Sequence, residues 1–217
     1  ALRRELTDRH GVAVHVVGCD LNDSGAAECV YDEIAKRGLE ISILVNNAGF
    51  GYYGRMVEEK MERIDAQLQV NIRMVTQLTR LFAADMAARR RGYVLNVASF
   101  AALQPIPNYA VYSGAKAYVI GFSQALRHEL KNSGVRVSVL CPGFTMSEFH
   151  DVAGHKKTTL IRLTTLSARS VAKAGVRGMW RGKFLIVPGW WYKLNSLTVR
   201  FMPRGLASML SARVVKN

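Results

Sequence analysis

GLEISILVNNAG, residues 38–49, gathers Ile41, Ile43, Leu44 and Val45 into a short apolar run that stops at Asn46, Asn47, Ala48 and Gly49. A run this short, ending in turn residues, reads as a buried strand that feeds a loop. GVRVSVLC (134–141) repeats the pattern with β-branched residues and runs straight into Pro142 and Gly143. Working outward, strands are expected near 12–18, 40–46, 92–98, 134–141 and 183–188. They alternate with helical patterns near 23–38, 58–90, 108–132 and 167–181. That alternation gives an α/β chain with a mainly parallel sheet. The strands are apolar throughout, so helices should cover both faces. No repeat, low-complexity tract or linker divides the 217 residues.

The chemistry concentrates on Ser99, Tyr112 and Lys116. A helix sets residues four apart on one face, so Tyr112 and Lys116 stack side by side. The end of VLNVAS (94–99) can bring the Ser99 hydroxyl to the same place. A phenol, an ammonium and a hydroxyl converging there make a proton-transfer site for carbonyl and alcohol chemistry. An ordinary tyrosine, with a pKa of about 10, is a poor base at neutral pH. A neighbouring lysine cation favours phenolate and is expected to lower that value. The plain alternatives are a buried Tyr beside an exposed Lys, and a Ser99 hydroxyl that caps a turn. Asn71 opens a helical segment, 71–81, where the plain alternative is a surface amide.

Taken together, the NNAG turn, helical Asn71, Ser99, Tyr112-x-x-x-Lys116 and the Pro142-Gly143 turn resemble the short-chain dehydrogenase/reductase family, from about Val12 to Gly189. GLEISILVNNAGFG, VYSGAKAYV and the 141–149 run resemble its DltE-like bacterial branch. The resemblance implies a doubly wound Rossmann-type sheet and an NAD(P)-dependent oxidoreductase, with NADP slightly ahead of NAD. Its substrate would be a ketone or secondary alcohol. Tyr112 would be the acid/base, and Lys116 would lower its pKa and bind the nicotinamide ribose. Ser99 would donate to the substrate oxygen, and Asn71 would hold a water linking Lys116 to solvent. Asn47, Ala48 and Gly49 would lie along the ribose and adenosine side. Asp20 and Leu21 would meet the adenine, although Asp20 could instead cap the helix that starts near Asp23. Pro142, Gly143 and Thr145 would pack on the nicotinamide. Family members usually assemble as dimers or tetramers, so a homo-oligomer is expected.

Gly49-Phe50-Gly51-Tyr52-Tyr53-Gly54 matches a G-x-G-x-x-G pattern, but two tyrosines crowd any phosphate. It is expected to be a loop at the substrate mouth, with Phe50, Tyr52 and Tyr53 either around an apolar pocket or simply packed under the loop. The family's glycine-rich turn is not among these residues, so the sequence reads as an N-terminally truncated member. An incomplete Rossmann-type domain is expected over 1–189, with a substrate-side insertion and helix at 144–182. A basic amphipathic segment follows at 190–217. In such a sheet the 12–18 strand would lack a neighbour and 41–46 would be an exposed apolar edge. Poor folding and weak dinucleotide binding are the expected result.

Net charge is +14, concentrated late: residues 144–217 hold thirteen Lys/Arg against Glu148 and Asp151. Trp190-Trp191-Tyr192-Lys193 and the apolar positions after it suit an interfacial helix on anionic lipid. The alternative is a helix packed on its own domain or on a second subunit. Membrane contact would favour an apolar or lipid-like carbonyl substrate. No helix-turn-helix, zinc or RNP-type pattern accompanies the charge, so nucleic acid is not an expected partner. Cys19, Cys29 and Cys141 are odd in number and lack metal spacing, which suggests reduced thiols in the cytoplasm. His150, Asp151 and His155 lack a further ligand at useful spacing, so no metal is expected. No apolar run reaches membrane-spanning length. A non-catalytic binding protein derived from the same fold is the rival to the enzyme.

Overall fold

A computed structural model describes residues 2–146 and 164–215. The chain begins with α1 (Leu2–His10) and α2 (Ala26–Lys36), then β1 (Ile43–Asn46). A single rod follows, made of α3 (Met61–Leu68), a wide π turn (Gln69–Met74) and α4 (Val75–Ala88). Next come β2 (Gly92–Val97), α5 (Ala110–Glu129), β3 (Val135–Leu140) and the two-residue strands β4 (Thr145–Met146) and β5 (Leu166–Ser167). The chain ends with α6 (Ala168–Trp180), β6 (Leu185–Ile186), α7 (Trp190–Phe201) and α8 (Arg204–Val215).

The main sheet is wholly parallel, ordered β1-β2-β3-β6, while β4 and β5 pair separately. Parallel strands need helical crossovers, and these cover the sheet on both sides. In β2 the alternation is plain. Val94 joins Phe82, Met86 and Val137 on the α4 side, whereas Tyr93, Leu95 and Val97 join Val171, Met179 and Ile186 on the α6 side. The fully buried ones among these, such as Val94 and Leu95, each contribute about 1.5–3 kcal/mol. The strand ends near the cleft are tied by a buried polar chain. Asn46 Nδ2 donates to Thr79 Oγ1 and Asn96 Oδ1, and Asn96 Nδ2 donates to Ser123 Oγ.

Two expectations are corrected. Residues 12–18 form no strand, and Val12 and Val16 lie exposed. A strand exists through its neighbour's hydrogen bonds, and none of the described strands lies beside this segment. The outer edge of β1 is correspondingly bare, with Ile43 and Val45 exposed, as the sequence led us to expect. The three reduced thiols are the second correction. Cys19 and Cys29 are joined as a disulfide, and only Cys141 is free and buried among the described residues. His150, Asp151 and His155 lie outside the described residues.

Candidate active site

β2 delivers Ser99 to the top of the sheet in an extended conformation, where its Oγ accepts from Ala101 N at 3.1 Å and caps the short turn Phe100–Ala102. The hydroxyl therefore performs the capping foreseen as its alternative, and it also hydrogen-bonds the Tyr112 phenol. Tyr112 and Lys116 lie one turn apart on α5, and both are buried. Lys116 Nζ donates to the Val97 carbonyl at 3.0 Å and lies 5.7 Å from the centre of the Tyr112 ring.

Burial sets the electrostatics. It pushes the Tyr112 phenol up to about 12, against the Ser99 hydrogen bond, which lowers it. It holds Lys116 down to about 8 and pushes the neighbouring Cys141 thiol up to about 12. The expected lowering of Tyr112 by Lys116 is thus corrected for this state of the protein: loss of hydration around the phenolate outweighs the distant ammonium.

Asn71 sits in the π turn. A turn bonded i to i−5 leaves a carbonyl unclaimed, and Asn71 Nδ2 donates to Gln67 O at 3.0 Å and to Phe50 O at 2.8 Å. Its Oδ1 is buried with no partner among the described residues, so Asn71 is no surface amide.

The glycines of the 49–54 loop have a reason other than phosphate. A Cβ on Gly49 would fall 2.6 Å from Asn71 Oδ1 and 2.9 Å from Lys116 Nζ. One on Gly51 would fall 2.8 Å from Tyr112 Cδ2. The loop backbone presses on the site, and only glycine fits. Phe50 lines the cleft as expected; Tyr52 instead stacks with Phe50 and Arg63, and Tyr53 packs on Tyr109.

A cleft of about 620 Å³ brings together Asn47, Gly49, Ser99, Tyr112, Lys116, Pro142, Gly143 and Thr145. Its remaining lining is mostly apolar, including Phe100, Ile106, Tyr109, Phe144 and Val171. Ala48 lies exposed between two lining residues. Asp20 and Leu21 are not in the cleft. Asp20 Oδ1 accepts from Asn22 N and Nδ2 in a turn ahead of α2, and Leu21 packs on Ala26, Ala27 and Met74. Several lining residues went unassigned in the sequence, among them Tyr109 and Tyr192. For Tyr192 the signal was present, because it falls opposite the apolar stripe of its own helix. Among the described residues no cluster of His, Cys, Asp or Glu could hold a metal ion, and no helix is long and apolar enough to cross a membrane.

Comparison with known proteins agrees with this geometry. The sequence model described as short chain dehydrogenase matches residues 1–158. A very-long-chain 3-oxoacyl-CoA reductase of Anas platyrhynchos is 34% identical over 155 residues, covering 69% of this chain and 49% of its own length. A 17-beta-hydroxysteroid dehydrogenase type 3 of Mus musculus is 35% identical over 145 residues, 65% of this chain and 46% of its own. The chain spans about half the length of the curated relatives it matches. Among solved structures, a short-chain dehydrogenase from Sphingobium yanoikuyae in complex with NADPH superposes with a TM-score of 0.79. It is 26% identical, and the match covers 93% of this chain and 80% of that one.

Proposed function

The chain belongs to the short-chain dehydrogenase family, and from that premise we propose that it is an NAD(P)-dependent oxidoreductase acting on a ketone or secondary alcohol. The observation that carries the proposal is the meeting of Ser99, Tyr112 and Lys116 in one cleft of ligand size. The apolar lining favours an apolar or lipid-like carbonyl. Relatives that are a very-long-chain 3-oxoacyl-CoA reductase and a 17-beta-hydroxysteroid dehydrogenase favour the same class. NADP is preferred to NAD, in keeping with the NADPH of the Sphingobium protein. Our finer placement is in the DltE-like branch, resting on the runs quoted above. A homo-oligomer working where such dinucleotides are available completes the proposal.

The cleft fits a nicotinamide group: Lys116 and the bare Gly49 backbone line it, and behind Gly49 a buried Asn71 oxygen is unpartnered among the described residues. Lys116, Pro142, Gly143 and Thr145 are the residues that would hold it, with Asn47, Ala48 and Gly49 along the ribose and adenosine side and Asp20 and Leu21, outside the cleft, toward the adenine. When bound, that group supplies or accepts the hydride. The protein's own part is proton management. A phenol held up to about 12 stays protonated at neutral pH, so Tyr112 is charged with the proton that a reduced carbonyl oxygen needs. Ser99 donates to the same oxygen and fixes its place. As Tyr112 gives up its proton, the Lys116 ammonium stabilises the phenolate and passes a proton on. Asn71 holds the water that resupplies it.

The test follows the absorbance of reduced nicotinamide against a panel of ketones, in the protein as it occurs in the cell. Turnover of an apolar ketone with NADPH supports the proposal. Tight NADPH binding without turnover on any carbonyl points to the binding-protein alternative. Gly51→Ala should lower kcat by roughly 10–100-fold, because the new methyl must displace the Tyr112 ring and small misplacements of a reacting group are costly. Overpacking the buried ring should also cost about 1–3 kcal/mol, so kcat is read well below the variant's melting temperature, and an unaltered kcat there would contradict the placement of that loop against Tyr112.

A further inference from the structure

Helix α7 has two unlike sides. Trp190, Leu194, Leu197 and Phe201 recur at helical spacing along one side and are 74%, 50%, 57% and 86% exposed. On the other side Tyr192 is buried. Its hydroxyl accepts from Phe144 N at 3.0 Å, and its ring packs edge-on to Phe100, 5.3 Å between centroids. The same ring covers Gly143, where a Cβ would overlap it. The helix is thus anchored into the wall of the cleft by one aromatic residue and left bare along its outer stripe.

We infer that this stripe is an interfacial surface seating the protein on an anionic lipid bilayer, so that the helix meeting lipid on its outer side walls the substrate cleft on its inner side. This deepens the reading of the cleft as a site for an apolar carbonyl and rests on it. Charge selects the partner. Lys193 and Arg200 flank the stripe, both exposed, and no acidic residue follows Asp151 in the sequence. Two copies of the chain joined through this face would set like charges against each other, whereas an anionic headgroup layer complements them. The adjoining Trp191, also exposed, suits the headgroup boundary. An apolar substrate dissolved in the bilayer is then concentrated beside the wall that encloses its reaction.

The experiment is flotation of the purified protein with vesicles of phosphatidylcholine alone and of phosphatidylcholine with phosphatidylglycerol, paired with tryptophan emission. Binding to the anionic vesicles with a blue-shifted emission is expected, at least tenfold stronger than to neutral ones and weakened by salt. Both a Trp190→Ser/Leu197→Ser/Phe201→Ser variant and a Lys193→Glu/Arg200→Glu variant should lose at least tenfold in binding while keeping the wild-type circular dichroism. Protein left at the bottom with both vesicle types overturns the inference. So does equal binding to neutral and anionic vesicles, or undiminished binding by the charge variant. Loss of a dimer in sedimentation by the serine variant, without vesicle binding by the wild type, would give the stripe to a second copy. Because flotation needs no turnover, failure of the reductase proposal and failure of this one are separately visible.

Discussion

Tyr112→Phe is expected to lower kcat by about 10³-fold while leaving NADPH binding nearly intact. The variant removes one hydroxyl and keeps the ring that packs against Tyr109 and Ile106. It loses a group that is both hydrogen-bonded to Ser99 and held protonated at neutral pH. Removing that hydroxyl also removes its hydrogen bond to Ser99, at a cost of about 0.5–1.5 kcal/mol. The melting temperature should therefore fall by no more than a few degrees. Cofactor affinity read by fluorescence separates the chemical loss from a binding loss. Retained turnover would transfer the proton role to another group, and Ser99 would be the first to examine.

Lys116→Met is expected to abolish turnover and yet stabilise the protein without cofactor. Burial lowers this lysine from 10.5 to about 8. Between those values the unfolded chain holds a proton that the folded chain has released, so its share of stability grows as pH rises through that window. Below pH 8 the full cost is present, about 3 kcal/mol at 1.36 kcal/mol per unit. Met keeps the stem and drops the charge, at the expense of the hydrogen bond to Val97 O. A net gain of roughly 1–3 kcal/mol should raise Tm by several degrees. Cys141, raised from 9.0 to about 12, and Tyr112, raised from 10.0 to about 12, act with the opposite sign at higher pH. The quantity to measure is therefore the difference between variant and wild type from pH 7 to 11. It should shrink steadily above pH 8; a variant less stable than wild type throughout would refute the buried-charge cost.

Much of the sheet was legible because β-branched runs such as Val135–Leu140 can be buried on both faces in few other ways. The approach of Tyr112 and Lys116 was legible because helical spacing is local. What failed was non-local. Residues 12–18 have strand composition, but composition cannot supply a hydrogen-bonding neighbour. The pairing of Cys19 with Cys29 depends on how α2 is set against the segment before it. Gly49 and Gly51 advertised a phosphate pattern; what they admit is the chain itself, pressed against Asn71, Lys116 and Tyr112. The pKa direction at Tyr112 turned on the degree of burial, which no spacing reveals.

The wide turn at Gln69–Met74 spends a backbone irregularity on aiming one side chain. Each residue of an ordinary helix advances about 100°, so Ile64 and Phe82, five whole turns apart, would share a face without it. What the wide turn frees is the Gln67 carbonyl, which with Phe50 O holds the Asn71 amide against Gly49. Deleting a single residue there would return that carbonyl to the helix backbone and release the amide, with the core-facing stripe left in place. A more regular helix would thus be a worse support for the site.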